Sequence, residues 1–326
     1  MGVMNIGRRL IAPTAVAGAT ALSLATLSAC SADGSGSVSS GGKLKVTASF
    51  YPMQYLAEQI GGSHVSVTEL TKPGVEPHDL ELTPRQTATL GESDVIVYLK
   101  GLQPAVDDAI AQSGVRNTAD AASLTSLEKH GTEVDGHSHT TGDNNTGSTG
   151  EVAGADPHIW LDPVKYAQVA KGVEKTLAKA DPNHADTYAK NLNALVKKLD
   201  ALNTEFRDGL KNRTSDTFIT THAAFGYLAE RYGLVEEAIS GIDPETEPSA
   251  ARIKALHTLA QQKNVSTVFF ETLVSDKTAK TLAGDLGVRT DVLDPIEGIT
   301  AKSKGSDYVE VQQSNLKALQ KALGAK

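Results

Sequence analysis

Cysteine is almost missing from this chain: Cys30 is the only one in 326 residues. A single thiol excludes an intrachain disulfide and any thiolate cage, so a metal held here would take nitrogen and oxygen ligands. Aromatic residues are scarce too, with one tryptophan, Trp160. No basic stripe interleaved with aromatics runs along the chain, which excludes nucleic acid as a partner. A His-Glu-x-x-His helix is also lacking, and with it the commonest zinc-hydrolase arrangement. What is present is an ordinary soluble balance, 40% apolar and 21% charged, in a chain long enough for two domains.

The N-terminus accounts for the cysteine. Arg8-Arg9 precede an apolar run, Leu10–Leu27, and Leu27-Ser28-Ala29-Cys30 closes it. This pattern reads as a bacterial lipoprotein signal peptide over residues 1–29, cut before a Cys30 that becomes lipid-modified. A transmembrane anchor is the weaker reading, because small residues dilute a run already near the lower spanning length. Losing Arg8 and Arg9 with the leader takes the formal charge from −8 to −10. Residues 30–42, rich in serine and glycine, read as a flexible tether with a reach of roughly 20 Å. The folded part is expected to hang from the outer face of a membrane, beginning near Lys43.

From there strand and helix patterns alternate. Strands are expected at Leu44–Ser49, Val65–Leu70, Asp94–Leu99, Thr217–Thr221, Val265–Glu271 and Arg289–Leu293, with helices between them. Such alternation predicts an α/β fold with mainly parallel sheets. Asp162-Pro163 reads as an N-cap and first helical residue, opening a helix to Ala180. Asp181-Pro182 opens another, whose apolar positions from Ala185 to Leu210 recur at steps of three and four. At roughly 40 Å it is long for one small domain. It is read as a rigid linking helix over 183–212, between a lobe at 43–182 and a lobe at 213–326. Residues 129–154 break the pattern and read as a mobile loop containing His130, His137 and His139. These three could collect a divalent ion weakly, and deleting the loop is expected to leave any tight site intact.

Three other histidines sit at loops or strand ends. His78 lies in Pro73-Gly74-Val75-Glu76-Pro77-His78-Asp79, His158 between Pro157 and the Asp162-Pro163 cap, and His222 after the Thr217–Thr221 strand. In open α/β sheets ligands bind beyond the carboxyl ends of strands, so these rings point to one site in the cleft between lobes. Three imidazoles and one carboxylate make a closed tetrahedral set suited to Zn²⁺, with Mn²⁺ less favoured. Glu297, Glu271 and Asp294 all compete for the carboxylate position. Glu76, Asp79, Asp156 and Asp162 are near enough in sequence to orient the rings. His64, His184 and His257 are expected to be exposed and outside the site.

The segments Pro73–Pro84, Asp156–Pro163, Thr221–Gly233 and Leu293–Thr300, with the cysteine-terminated leader, resemble the zinc/manganese-type solute-binding lipoproteins of ABC importers (the ZnuA/TroA-like family). The resemblance implies two (β/α) lobes joined by a rigid helix with the ion between them. It also implies His78, His158, His222 and Glu297 as ligands, and zinc over manganese because a histidine stands at position 222. It further implies an ABC permease and its ATPase as partners. The histidine-rich loop of many zinc members is short here.

The expected function is therefore extracytoplasmic Zn²⁺ capture and delivery to a permease by a monomeric, lipid-anchored, non-enzymatic protein. A zinc hydrolase using Glu297 as base, a manganese-binding homologue and a surface adhesin are the alternatives.

Overall fold

Interior strands of a parallel sheet are covered on both faces and so read as apolar runs. Val95–Tyr98 and Thr217–Thr220 behave this way, with nearly every side chain buried. The computed structural model describes residues 42–131 and 154–325. The leader, Cys30, the tether up to residue 41, and His137 and His139 lie outside the described residues. No helix among the described residues is long and apolar enough to cross a membrane.

The first sheet is built from β1 (Leu44–Ala48), β2 (Val65–Glu69), β3 (Val95–Tyr98) and β4 (Thr118–Asp120). Its order is β2-β1-β3-β4 and all its pairs are parallel. The chain between and after these strands forms α1 (Tyr51–Gly61), α2 (Pro84–Gly91), α3 (Pro104–Ser113) and α4 (Ala121–Leu124). Two longer helices follow, α5 (Pro163–Ala180) and α6 (Ala185–Gly209). The second sheet repeats the design with β5 (Thr217–Thr220), β6 (Val235–Ala238), β7 (Thr267–Phe270) and β8 (Arg289–Val292), parallel in the order β6-β5-β7-β8. Its helices are α7 (Gly226–Tyr232), α8 (Ala250–Gln262) and α9 (Lys277–Leu286), and α10 (Tyr308–Leu323) ends the fold.

Two edge strands, β4 and β6, were not expected from the sequence. Each is only three or four residues long, and Glu236-Glu237 interrupts any apolar pattern in β6. The helix expected to open at Pro182 starts three residues later. Pro182–His184 form a 3₁₀ turn, and Asp181 accepts hydrogen bonds from the Tyr188 hydroxyl (2.7 Å) and the His184 ring (2.6 Å) rather than capping α6.

Each sheet has a private outer core. Ile96 with Leu70, Leu90, Val106 and Ile110 closes one, and Ile219 and Val268 with Leu256, Leu282 and their neighbours close the other. The inner faces share a single continuous cluster that runs from Val46 and Phe50 through Trp160, Tyr166, Leu199 and Tyr308 to Phe218 and Phe269. α6 contributes Leu195, Leu199, Leu202 and Phe206 to it and packs against α1, α5 and α10. Tyr308 sits between Tyr55 and Tyr166, with ring centroids 5.5 and 4.6 Å away, and its hydroxyl donates to the Trp160 carbonyl. Burying large aromatics at close range is among the strongest single contributions to a core. Through Trp160 that packing anchors the turn that bears His158.

Candidate metal centre

His158 is presented by a short 3₁₀ turn, Ile159–Leu161. Asp162 ends that turn and begins α5, its carboxylate accepting the Val164 N–H (2.8 Å) with Pro163 at the first helical position. The indole N–H of Trp160 donates to the Pro295 carbonyl at 2.7 Å, so the His158 turn is tied to the segment that carries Glu297. In that segment Ile296 has φ +59, a left-handed conformation unusual for a β-branched residue. It is held there by Asp294, which accepts the Ile296 N–H (2.8 Å) and is itself gripped by Asn315 of α10. Local strain of this kind persists only where surrounding contacts over-determine it. Here it accompanies the inward turn of Glu297, whose side chain is fully buried.

His222 follows β5. Thr220 Oγ1 lies 2.9 Å from the His222 carbonyl and 2.8 Å from Glu236, whose second oxygen accepts the Phe225 N–H at 3.0 Å. Glu236 of β6 thus braces the His222 loop, and burial pushes its carboxyl up to about 7. The sequence offered no sign of this role, because an acid in an unrecognised edge strand looks like a surface charge. His78 sits in the long connection between β2 and α2, with its backbone N–H on the Glu76 carboxylate at 3.1 and 3.2 Å.

The structure brings His78, His158, His222 and Glu297 together, with one potential ligand atom from each lying within 4.8 Å of the others. The three Nε2 atoms stand 3.4, 3.3 and 3.6 Å from Glu297 Oε1, and those of His158 and His222 are 3.4 Å apart. Zinc bonds of about 2.0–2.1 Å at tetrahedral angles place neighbouring ligand atoms about 3.3–3.4 Å apart. The spacing is therefore that of a tetrahedron's edges, and too long for good hydrogen bonds. His78 Nε2 and both Glu297 oxygens are buried without a hydrogen-bond partner. Buried polar atoms left this way are costly unless a further group satisfies them.

The far side of two rings is fixed by carboxylates. His158 Nδ1 lies 2.8 Å from Asp156 Oδ1, and His222 Nδ1 lies 2.8 Å from Glu271 Oε1, which also accepts from the Thr221 hydroxyl. Donation from Nδ1 turns the Nε2 lone pair inward, as in carboxylate–histidine–metal chains. Burial opposes charge on His158, but the hydrogen bond to Asp156 and the nearby Glu297 carboxylate overcome it and raise the ring to about 9. His222 is raised in the same way against its burial, by Glu271 and Glu297. Glu297 is held well below the usual carboxylate range by the three rings despite its burial. Glu76, at the rim, is pushed up to about 8 by burial and then by the charge of Glu297. The carboxylates around the rings thus favour positive charge at the point on which the four ligand atoms converge.

Of the orienting residues expected from sequence, Asp156 touches an imidazole ring, and Glu76 reaches only the His78 backbone N–H and stands 4.0 Å from its ring. Asp162 does not touch one, because its oxygens are taken by the α5 N-terminus and by Arg231 (2.6 and 2.9 Å). Asp79 is exposed and reaches none of the rings. Of the competitors for the carboxylate position, Glu271 faces the back of His222, and Asp294 is consumed by its own turn and Thr272. His64 and His184, expected on the surface, are partly covered because they stack on each other, centroids 3.9 Å apart, beside Tyr188; His257 is half-buried on α8.

His130 departs most from expectation. It is docked, its Nδ1 2.9 Å from Asp156 Oδ2 and its Nε2 3.1 Å from Glu230 on α7. Glu128, His130 and Glu230 form a second group whose ligand atoms lie within 4.8 Å of one another, but Lys165 already pairs with Glu128 at 2.7 Å.

Comparison with known proteins places this geometry in context. The model of the family described as "Zinc-uptake complex component A periplasmic" matches residues 46–322. The zinc-binding lipoprotein AdcA of Streptococcus pneumoniae is 33% identical over 284 residues, which are 85% of this chain and 55% of that protein. The chain therefore spans about half the length of that relative. The high-affinity zinc uptake system protein ZnuA of Bacillus subtilis is 34% identical over 291 residues, 87% of this chain and 89% of that one. Among solved structures, the Zn(II)-bound ZnuA-like domain of Streptococcus pneumoniae AdcA superposes with a TM-score of 0.71 at 31% identity, covering 86% of this chain and 99% of that domain.

Proposed function

The chain belongs to the zinc-uptake complex component A family, and from that premise we propose that it captures extracytoplasmic Zn²⁺ and delivers it to the permease of an ABC importer. Zinc is its cargo. His78, His158 and His222 bind the ion through Nε2, and Glu297 supplies the fourth ligand. The observation that carries this reading is the convergence of three Nε2 atoms at 3.3–3.6 Å from one carboxylate oxygen. Four protein ligands fill a tetrahedron and leave no position for a reactive water, which favours a binding protein over a hydrolase. The nitrogen-rich set favours zinc over manganese.

The residues do the work in a definite order of charge. Asp156 and Glu271 keep the rings of His158 and His222 pointed inward, so little reorganisation is needed when the ion arrives. The protons held among the rings and Glu297 leave as zinc enters, because a metal ligand must be deprotonated. His78 is the ligand nearest solvent, its side chain 10% exposed against 0–1% for the other three. We place entry and release on its side. Lipidation at Cys30 would tether the protein to the membrane next to its permease. The folded chain divides into lobes at 43–182 and 213–326 with 183–212 between them.

Metal analysis and competition with a chromophoric chelator test the proposal. One tightly bound zinc per chain is expected, and His158→Ala should abolish tight binding. A His158→Ala protein that kept the native affinity would remove the reading.

A further inference from the structure

Asp156 is wholly buried and uses its two oxygens on two different imidazoles. Oδ1 takes His158 Nδ1 at 2.8 Å, and Oδ2 takes His130 Nδ1 at 2.9 Å. The second contact is built into the fold. Gly226, the first residue of α7, leaves room for it: a Cβ there would lie 2.3 Å from the His130 side chain and 2.9 Å from Asp156 Oδ2. The His130 ring stands edge-on to Tyr227, centroids 4.5 Å apart, and the Tyr227 hydroxyl donates to the Asp156 carbonyl at 2.8 Å. On its far side His130 meets Glu230 at 3.1 Å. One histidine therefore joins α7, which follows the His222 loop, to the carboxylate that aims His158.

We propose that His130 is a positioning residue for metal capture: by holding the outer oxygen of Asp156 against α7, it sets the direction in which His158 offers Nε2 to the ion. The inference rests on the zinc-binding reading above. Partners behind a ligand histidine typically change metal affinity 10- to 100-fold when removed. His130 stands one step further out, but it shares a single carboxylate with the ligand. Without His130, Asp156 would be held only at Oδ1, by the His158 ring and backbone N–H (2.9 Å), and could swing about that end and carry the imidazole with it.

The test uses the full mature chain, with Zn²⁺ affinity measured by chelator competition and site geometry read from the d–d absorption of Co²⁺. His130→Phe keeps the edge contact with Tyr227 and removes both ring nitrogens. It is expected to weaken zinc binding about 10-fold or more and to shift the Co²⁺ bands. His130→Asn, whose amide can stand near the position of Nδ1, should restore most of the affinity and the native spectrum. Native affinity and spectrum in His130→Phe would overturn the inference, as would an Asn variant no better than Phe. Should His130→Phe not fold, His130→Ala takes its place with the same expectation. Failure of the wild-type chain to bind zinc would instead strike the functional reading, so the two outcomes are separable.

Discussion

Two groups of histidine and carboxylate lie on either side of Asp156, and they are built from the same materials to different ends. The inner group presents three Nε2 atoms to one buried carboxylate oxygen, with no ion pair to a lysine or arginine among the described residues. The outer group sets Glu128, His130 and Glu230 equally close together, yet Lys165 is paired with Glu128 and Glu230 is largely exposed. Proximity of ligand types does not separate them. Compensation does: the outer carboxylates have a protein cation and solvent, whereas inside His78 Nε2 and both Glu297 oxygens are buried without a hydrogen-bond partner. Buried polar atoms without partners are costly until a group arrives to satisfy them, and that cost favours uptake of the ion.

The comparison breaks most directly at His158. A structural metal site is worth about 10–16 kcal/mol over four ligands, so losing one should cost on the order of 100- to 1,000-fold in zinc affinity. Chelator competition on His158→Ala measures it, and the matching change in the outer group, Glu230→Gln, should move the affinity by less than about tenfold. Glu271→Gln comes next. Keeping the shape but removing the charge behind His222 should weaken binding roughly 10-fold, with the Co²⁺ spectrum altered; a native affinity would show that Glu271 only fills space.

Asp162→Ala sharpens the contrast from the other side. Asp156 and Asp162 flank the same turn, but Asp162 serves the α5 N-terminus and Arg231. Its loss should lower unfolding stability by about 1–2 kcal/mol, the worth of an N-cap, in urea titrations, and leave zinc affinity unchanged. A further expected effect is in pH. His158 in the metal-free protein is raised from 6.5 to about 9, so its stabilising contribution is complete below 6.5 and is lost as pH rises through about 9. The melting temperature of the metal-free chain should fall across that window, and fall less in His158→Ala.

Much of this was legible in residue order. Six of the eight described strands announced themselves through apolar runs, and α5 through its Asp162-Pro163 cap. The exceptions have local causes. β4 is three residues long, β6 carries two glutamates, and Pro182 begins a 3₁₀ turn because Asp181 is drawn to Tyr188 and His184. In the metal centre, the gathered histidines follow prolines or strand ends, signals that survive in one dimension. Which acid stands behind which ring left no such trace. Glu271 looked like a rival ligand and supports His222, and Asp162 looked like a support and caps a helix. His130 looked like part of a loose loop and grips Asp156.

The order of residues by itself determined the α/β alternation, the two repeated sheets, the polar loop and the choice of nitrogen and oxygen over sulfur, because backbone periodicity and side-chain chemistry are local properties. Only the tertiary structure decided which carboxylates would face imidazoles, which would find a lysine or arginine, and which would be left without a partner. That sorting depends on distances of a few ångströms between segments tens to more than a hundred residues apart, and on the exclusion of water by a core that no single segment contains.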